Sequence, residues 1–152
     1  MQSKSYTSTP LSVKSSPLTG KFRRADIVFH EVDHSGASYE GRVFINNTNA
    51  DEKTEKTEAN GYAGSFHIFG HGGCFGNVGH CDVKAQRRYD PRPSHPLAPI
   101  KTVVIATESL RRAAGSGGDI TVTVVPVITS FTPKCDLTDV LKFDHIEVTT
   151  YQ

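Results

Sequence analysis

Asp119 to Ile128 reads DITVTVVPVI, the most strongly strand-forming stretch of the chain. β-Branched residues fill it, and branching at Cβ suits a pleated, half-buried surface better than a helix. Pro126 has no N–H to give to a ladder, so it marks an edge or a bulge late in the strand. The pattern repeats along the chain. Ala25 to His34 (ADIVFHEVDH) alternates, with Ile27 and Phe29 on one face and Val28, His30 and Val32 on the other. Tyr39 to Asn46 (YEGRVFIN) sets Val43 and Ile45 against Phe44, and with the turn at residues 34–37 it predicts a hairpin. Gly61 to Gly70 (GYAGSFHIFG) puts Tyr62, Gly64, Phe66 and Ile68 on one side. Lys101 to Ala106 (KTVVIA) and Leu141 to Tyr151 (LKFDHIEVTTY) are further strands. A short helical turn follows Thr107, expected as its N-cap, with Leu110 facing inward and Gly115 to Gly118 ending it. The economical solution is all-β: an antiparallel β-sandwich, jelly-roll-like, with one or two short helices.

The chain has 152 residues and a mass of 16.6 kDa, which suits one domain. Residues 1–22 are rich in Ser, Thr and Lys and read as a disordered arm or linker, leaving 23–152 as the sandwich. Asn47 to Asn60 has no apolar face in any period and reads as a solvated excursion. Lys+Arg is 17 and Asp+Glu is 16, a balance that argues against sequence-independent nucleic-acid binding and against a polybasic membrane anchor. No apolar run approaches the roughly 20 residues that span a bilayer. No apolar h-region opens the chain, so the expected compartment is the cytoplasm.

Chemistry is concentrated in His67 to Cys81, HIFGHGGCFGNVGHC. His67, His71, Cys74, His80 and Cys81 crowd together there, with His95 in the Pro-rich continuation that holds Pro91, Pro93, Pro96 and Pro99. Imidazole and thiolate are ligands preferred by zinc and copper, and the glycines let the chain curl so that side chains converge. A subset of these six residues is therefore expected to bind one copper or zinc ion. The spacing matches no standard zinc motif, and two readings compete with it. Cys74 and Cys81 form a disulfide, or the histidines hydrogen-bond loop carbonyls without metal. Three histidines beside two cysteines are more than a disulfide requires, which tips the reading towards metal. His30 and His34 read as structural histidines, and Cys135 as a small buried hydrophobe. No GxSxG, P-loop or GxGxxG occurs. The single methionine is Met1, which excludes a cupredoxin copper site, and no HxH supports a cupin.

Tyr62-Ala63-Gly64-Ser65-Phe66 resembles the Phe/Tyr-Ala-Gly-Ser/Thr-Phe motif of the C-terminal β-sandwich of tyrosinases, plant polyphenol oxidases and molluscan haemocyanins. The order of the other segments is similar: ADIVFHEVDH, YEGRVFIN, then KTVVIATESLRRA, DITVTVVPV and FDHIEV, together covering roughly residues 25–148. The loop from His67 to Cys81 and the stretch to Pro99 depart from the plant and haemocyanin pattern and look closer to bacterial tyrosinase-like proteins. The helical domain that carries the family's copper-binding histidines has no counterpart here. The resemblance thus implies a non-catalytic accessory domain. It would shield the copper site of a type-3 copper oxidase or assist its copper loading, with that oxidase domain as partner in cis or in trans. Cys74 and Cys81 do not form the CxxC that fungal relatives use for copper delivery. The alternatives are a free-standing zinc- or copper-binding sandwich and, third, a small metalloenzyme with an open coordination position.

Overall fold

A computed structural model describes residues 2–73 and 75–152. Among them are nine strands, one α-helix and three short 3-10 turns. The strands are β1 (Tyr6–Thr7), β2 (Leu11–Ser12), β3 (Arg24–Val32), β4 (Ser38–Ile45), β5 (Tyr62–Ile68), β6 (Ile100–Ile105), β7 (Asp119–Ile120), β8 (Val122–Ser130) and β9 (His145–Tyr151). The helix α1 is Thr107–Gly115. All pairings are antiparallel, in sheets ordered β1-β8-β4-β5 and β6-β3-β9, with β2 and β7 forming a small ribbon. The two larger sheets face each other across one apolar core, which makes the fold the expected all-β sandwich. No helix among the described residues is long and apolar enough to cross a membrane.

The core follows strand parity. Ile27 and Phe29 of β3, Tyr39, Val43 and Ile45 of β4, Phe66 and Ile68 of β5, and Val104 of β6 are all buried in it. Phe29 and Phe66 bridge the sheets, their ring centroids 4.7 Å apart. Two bulges shift the expected alternation. Glu31 adopts φ 55°, and the β3–β6 register slips between Phe29 and Val32. Val32 is thereby turned into the core rather than out beside His30. The β4–β5 register slips between Val43 and Phe44, which sends Tyr62 to the outer face against Phe44 and gives its expected place to Ala63.

Three further expectations are corrected. The predicted β3–β4 hairpin does not form: β3 pairs with β6 and β9, whereas β4 pairs with β5 and β8, so the turn at 34–37 is a crossover between sheets. Thr107 does not cap α1. Ala106 occupies that position, and Thr107 Oγ1 instead accepts the Ala25 N–H at 3.1 Å, tying the helix to β3 while Leu110 faces inward, fully buried. Residues 1–22 are not a separate arm. β1 and β2 pair with β8 and β7, Leu18 enters the core, and the buried Ser3 Oγ accepts the Val140 N–H at 3.1 Å. The polar composition of this segment concealed its few apolar anchors, Leu11, Val13 and Leu18. Pro126 sits where the sequence placed it, on the flank of β8 that β1 leaves uncovered beyond Val124.

The segment 47–60 is less of an excursion than its composition suggested. Ala50 is buried against Phe44 and Val125 on the outer face of the larger sheet. Arg42 reaches the Glu52 carbonyl at 3.0 Å, and Lys56 reaches Glu40 at 3.0 Å. Glu40 also accepts from Arg42 at 2.9 Å and from Ser65 Oγ at 2.8 Å. Burial would push its carboxyl pKa up, but hydrogen bonds from Lys56, Ser65 and Arg42 outweigh burial and hold it at about 2.

Candidate functional site

Between Ile68 and Ile100 the chain has no strand or helix among its described residues. Backbone groups in such a segment must find partners outside a ladder. The first part is strapped to the crossover at 34–37. His71 N–H donates to the His34 carbonyl at 3.0 Å, Gly72 N–H to that of Gly36 at 2.9 Å, and Gly73 N–H to that of Ser35 at 2.8 Å. The approach is close enough that a Cβ on Gly70 would lie 2.2 Å from the Gly36 oxygen, which requires glycine there.

The six residues expected to hold a metal are placed as follows. His67 lies exposed on the outer face of β5, opposite Glu40 on β4. His71 packs edge-on against the His34 ring at 4.9 Å and donates its Nδ1–H to the His34 carbonyl at 3.2 Å. His95 donates Nε2–H to the His80 carbonyl at 3.1 Å, while its Nδ1 accepts the Leu97 N–H at 3.0 Å, so both of its ring nitrogens are engaged. Cys81 is disulfide-bonded, which removes it as a thiolate ligand. Cys74 lies outside the described residues. His80 and His95 are thus brought together, but through a carbonyl rather than through two lone pairs. Cys135, read as buried, is a partly buried free thiol packed against the core.

Among the described residues, one group of three potential ligands does converge: His30, His145 and Glu147, whose donor atoms lie within 4.8 Å of one another. β3 and β9 place them. His30 stands directly opposite His145, and Glu147 opposite Val28, one step along the same outer face. The two imidazole rings stack with centroids 4.3 Å apart and planes 8° from parallel. His30 Nε2 meets Glu147 Oε2 at 2.8 Å, and His145 Nδ1 meets Asp144 Oδ2 at 2.7 Å. The sequence carried part of this signal, since His145-Ile146-Glu147 has the two-residue spacing that shares a strand face. Nothing in the sequence sets the β3–β9 register that brings His30 to the pair.

Compared with protein-family models, curated proteins and solved structures, the chain matches none.

Proposed function

We propose that the chain is a non-catalytic accessory β-sandwich that docks on a type-3 copper oxidase domain, in cis or in trans, and restricts access to its copper site. One observation carries the reading: the strandless segment presents large apolar side chains almost wholly to solvent. Phe69 is 84% exposed, Val78 107% and Tyr89 86%. In this reading these side chains supply the surface that meets the oxidase domain. The resemblance set out above supports the same reading, because its segments fall in chain order on β3, β4, β5, β6 with α1, β8 and β9. In this reading the isolated chain does not oxidise catechol, since a dinuclear copper pair needs histidines held on facing helices.

The test is to titrate the full chain into a copper-loaded, tyrosinase-type helical domain and follow both association and catechol oxidation. Association with several-fold slower oxidation is expected, with relief of that inhibition by Phe69→Ser together with Tyr89→Ser. Absence of association, with oxidation unchanged, would overturn the proposal. Copper-dependent catechol oxidation by the isolated chain would move it to the enzyme class.

A further inference from the structure

We propose that His30, His145 and Glu147 form a binding site for one divalent transition-metal ion, zinc or copper(II), on the outer face of the β6-β3-β9 sheet. The site is independent of the apolar docking segment and of the six residues singled out between His67 and His95. The backbone brings the donors together. Residues directly opposed on antiparallel strands have Cβ atoms about 5 Å apart, and the diagonal neighbour is within reach of a long side chain. The register His30↔His145 and Val28↔Glu147 therefore places two imidazoles and one carboxylate side by side on one face of the β3–β9 ladder, their donor atoms within 4.8 Å of one another. Ile27 and Phe29 on one strand and Ile146 and Val148 on the other turn to the core, which fixes the donors on the opposite side.

The donor chemistry fits. Two neutral imidazoles and a carboxylate are a ligand set that zinc and copper accept, and at a surface they leave a further coordination position to water. Asp144 completes the arrangement. A carboxylate can only accept, so the 2.7 Å contact puts the proton of His145 on Nδ1 and its lone pair on Nε2. A carboxylate behind the non-ligating nitrogen is the usual support for a metal-bound histidine. His30 already meets Glu147 at 2.8 Å, the contact into which an ion would insert by replacing the shared proton.

The arrangement must tighten to bind. Zinc–nitrogen and zinc–oxygen bonds of about 2.0–2.1 Å bring tetrahedral donors to roughly 3.3 Å from one another. Donors now up to 4.8 Å apart close that gap by side-chain rotation. The parallel rings must tilt, because the lone pair lies in the imidazole plane. The freedom exists: the side chains of His145 and Glu147 are 55% and 53% exposed.

The experiment is titration of the full chain with zinc chloride and separately with copper(II) chloride, magnesium serving as control, followed by calorimetry and by histidine-resolved NMR. One equivalent of zinc or copper should bind, with the ring signals of His30 and His145 moving and those of His67, His71, His80 and His95 unmoved. Glu147→Gln and His145→Ala should each weaken binding at least tenfold, and Asp144→Asn, which supplies no ligand atom and acts through His145 Nδ1, about tenfold. All three positions are exposed, and circular dichroism verifies that the variants fold. Absence of binding by either ion, affinity unchanged in the Glu147→Gln/His145→Ala double variant, or shifts confined to histidines of the 67–95 segment would each overturn the proposal.

Discussion

Replacing Glu40 by Gln tests whether the outer face of the larger sheet is held by a buried charge. Glu40 has 11% of its side chain exposed and is bonded to Arg42 at 2.9 Å and Lys56 at 3.0 Å. A fall in its pKa from 4.5 to about 2 corresponds to roughly 3 kcal/mol at ~1.36 kcal/mol per unit. Lys56 is 45% exposed, so solvent screening of that pair reduces the figure to ~2 kcal/mol. The sign follows from linkage. A carboxyl whose pKa is depressed on folding contributes its full stability above its unfolded value, and loses it as pH falls through the folded value. Urea unfolding from pH 7 to about pH 2 should therefore show the wild type losing ~2 kcal/mol more than Glu40→Gln between about pH 5 and 2. At pH 7 the variant should be less stable by a similar amount, since Arg42 and Lys56 keep their charges without the carboxylate. Asp51, Asp90 and Asp136, whose carboxyls are also held low by hydrogen bonds, titrate in both proteins and cancel in the difference. Parallel stability curves for the two proteins across that window would refute the reasoning.

Gly61→Ala should cost roughly 1–3 kcal/mol in urea unfolding, because φ is +79° there and the new Cβ would lie 2.2 Å from the Ile45 oxygen; an unchanged midpoint would contradict it. Tyr39→Phe should be neutral or stabilising by up to about 1 kcal/mol, since the buried Tyr39 hydroxyl has no hydrogen-bond partner among the described residues; a loss above ~1 kcal/mol would mean that the hydroxyl is satisfied. Reductant should open residues 75–99 to limited proteolysis through the Cys81 disulfide while leaving the main unfolding transition in place, because neither apolar cluster draws on that segment. A fall of more than ~3 °C in the melting temperature, the shift that ~1 kcal/mol gives a domain of this size, would show that the loop supports the core.

The sandwich was legible because parity is written locally. Ile27 with Phe29, Val43 with Ile45, and Phe66 with Ile68 announce their faces within three residues. What escaped was set by pairing between distant segments or by a single inserted residue. The bulge at Glu31 returns Val32 to the core, and no sequence feature distinguishes it from continued alternation. The hairpin expected between β3 and β4 failed for a similar reason. Its turn does not have the tight Asn-Gly form, and both strands had richer partners, β6 and β9 for one and β5 and β8 for the other. The N-terminal segment was hidden by composition: a two-residue strand such as β1 covers the edge of β8, and such an edge is visible only once the sheet is built.

The histidines of residues 67–95 show why ligand density along a chain differs from ligand density in space. A segment without a ladder has carbonyls that need donors, and imidazole N–H groups supply them. His34 donates to the Ala98 carbonyl at 2.8 Å, His71 to that of His34 and His95 to that of His80. The glycines that let ligands converge also let backbone approach backbone, and that second use engages both ring nitrogens of His95 and Nδ1 of His71. His30 and Glu147 lie 117 positions apart, yet they meet at 2.8 Å because the continuous β3–β9 register sets them on one face of neighbouring strands. His30 and His145 face each other from paired strands and meet carboxylates, whereas His71 and His95 bond backbone carbonyls of the loops. That distinction rests on backbone hydrogen bonding, which is why register, and not motif spacing, locates the donors.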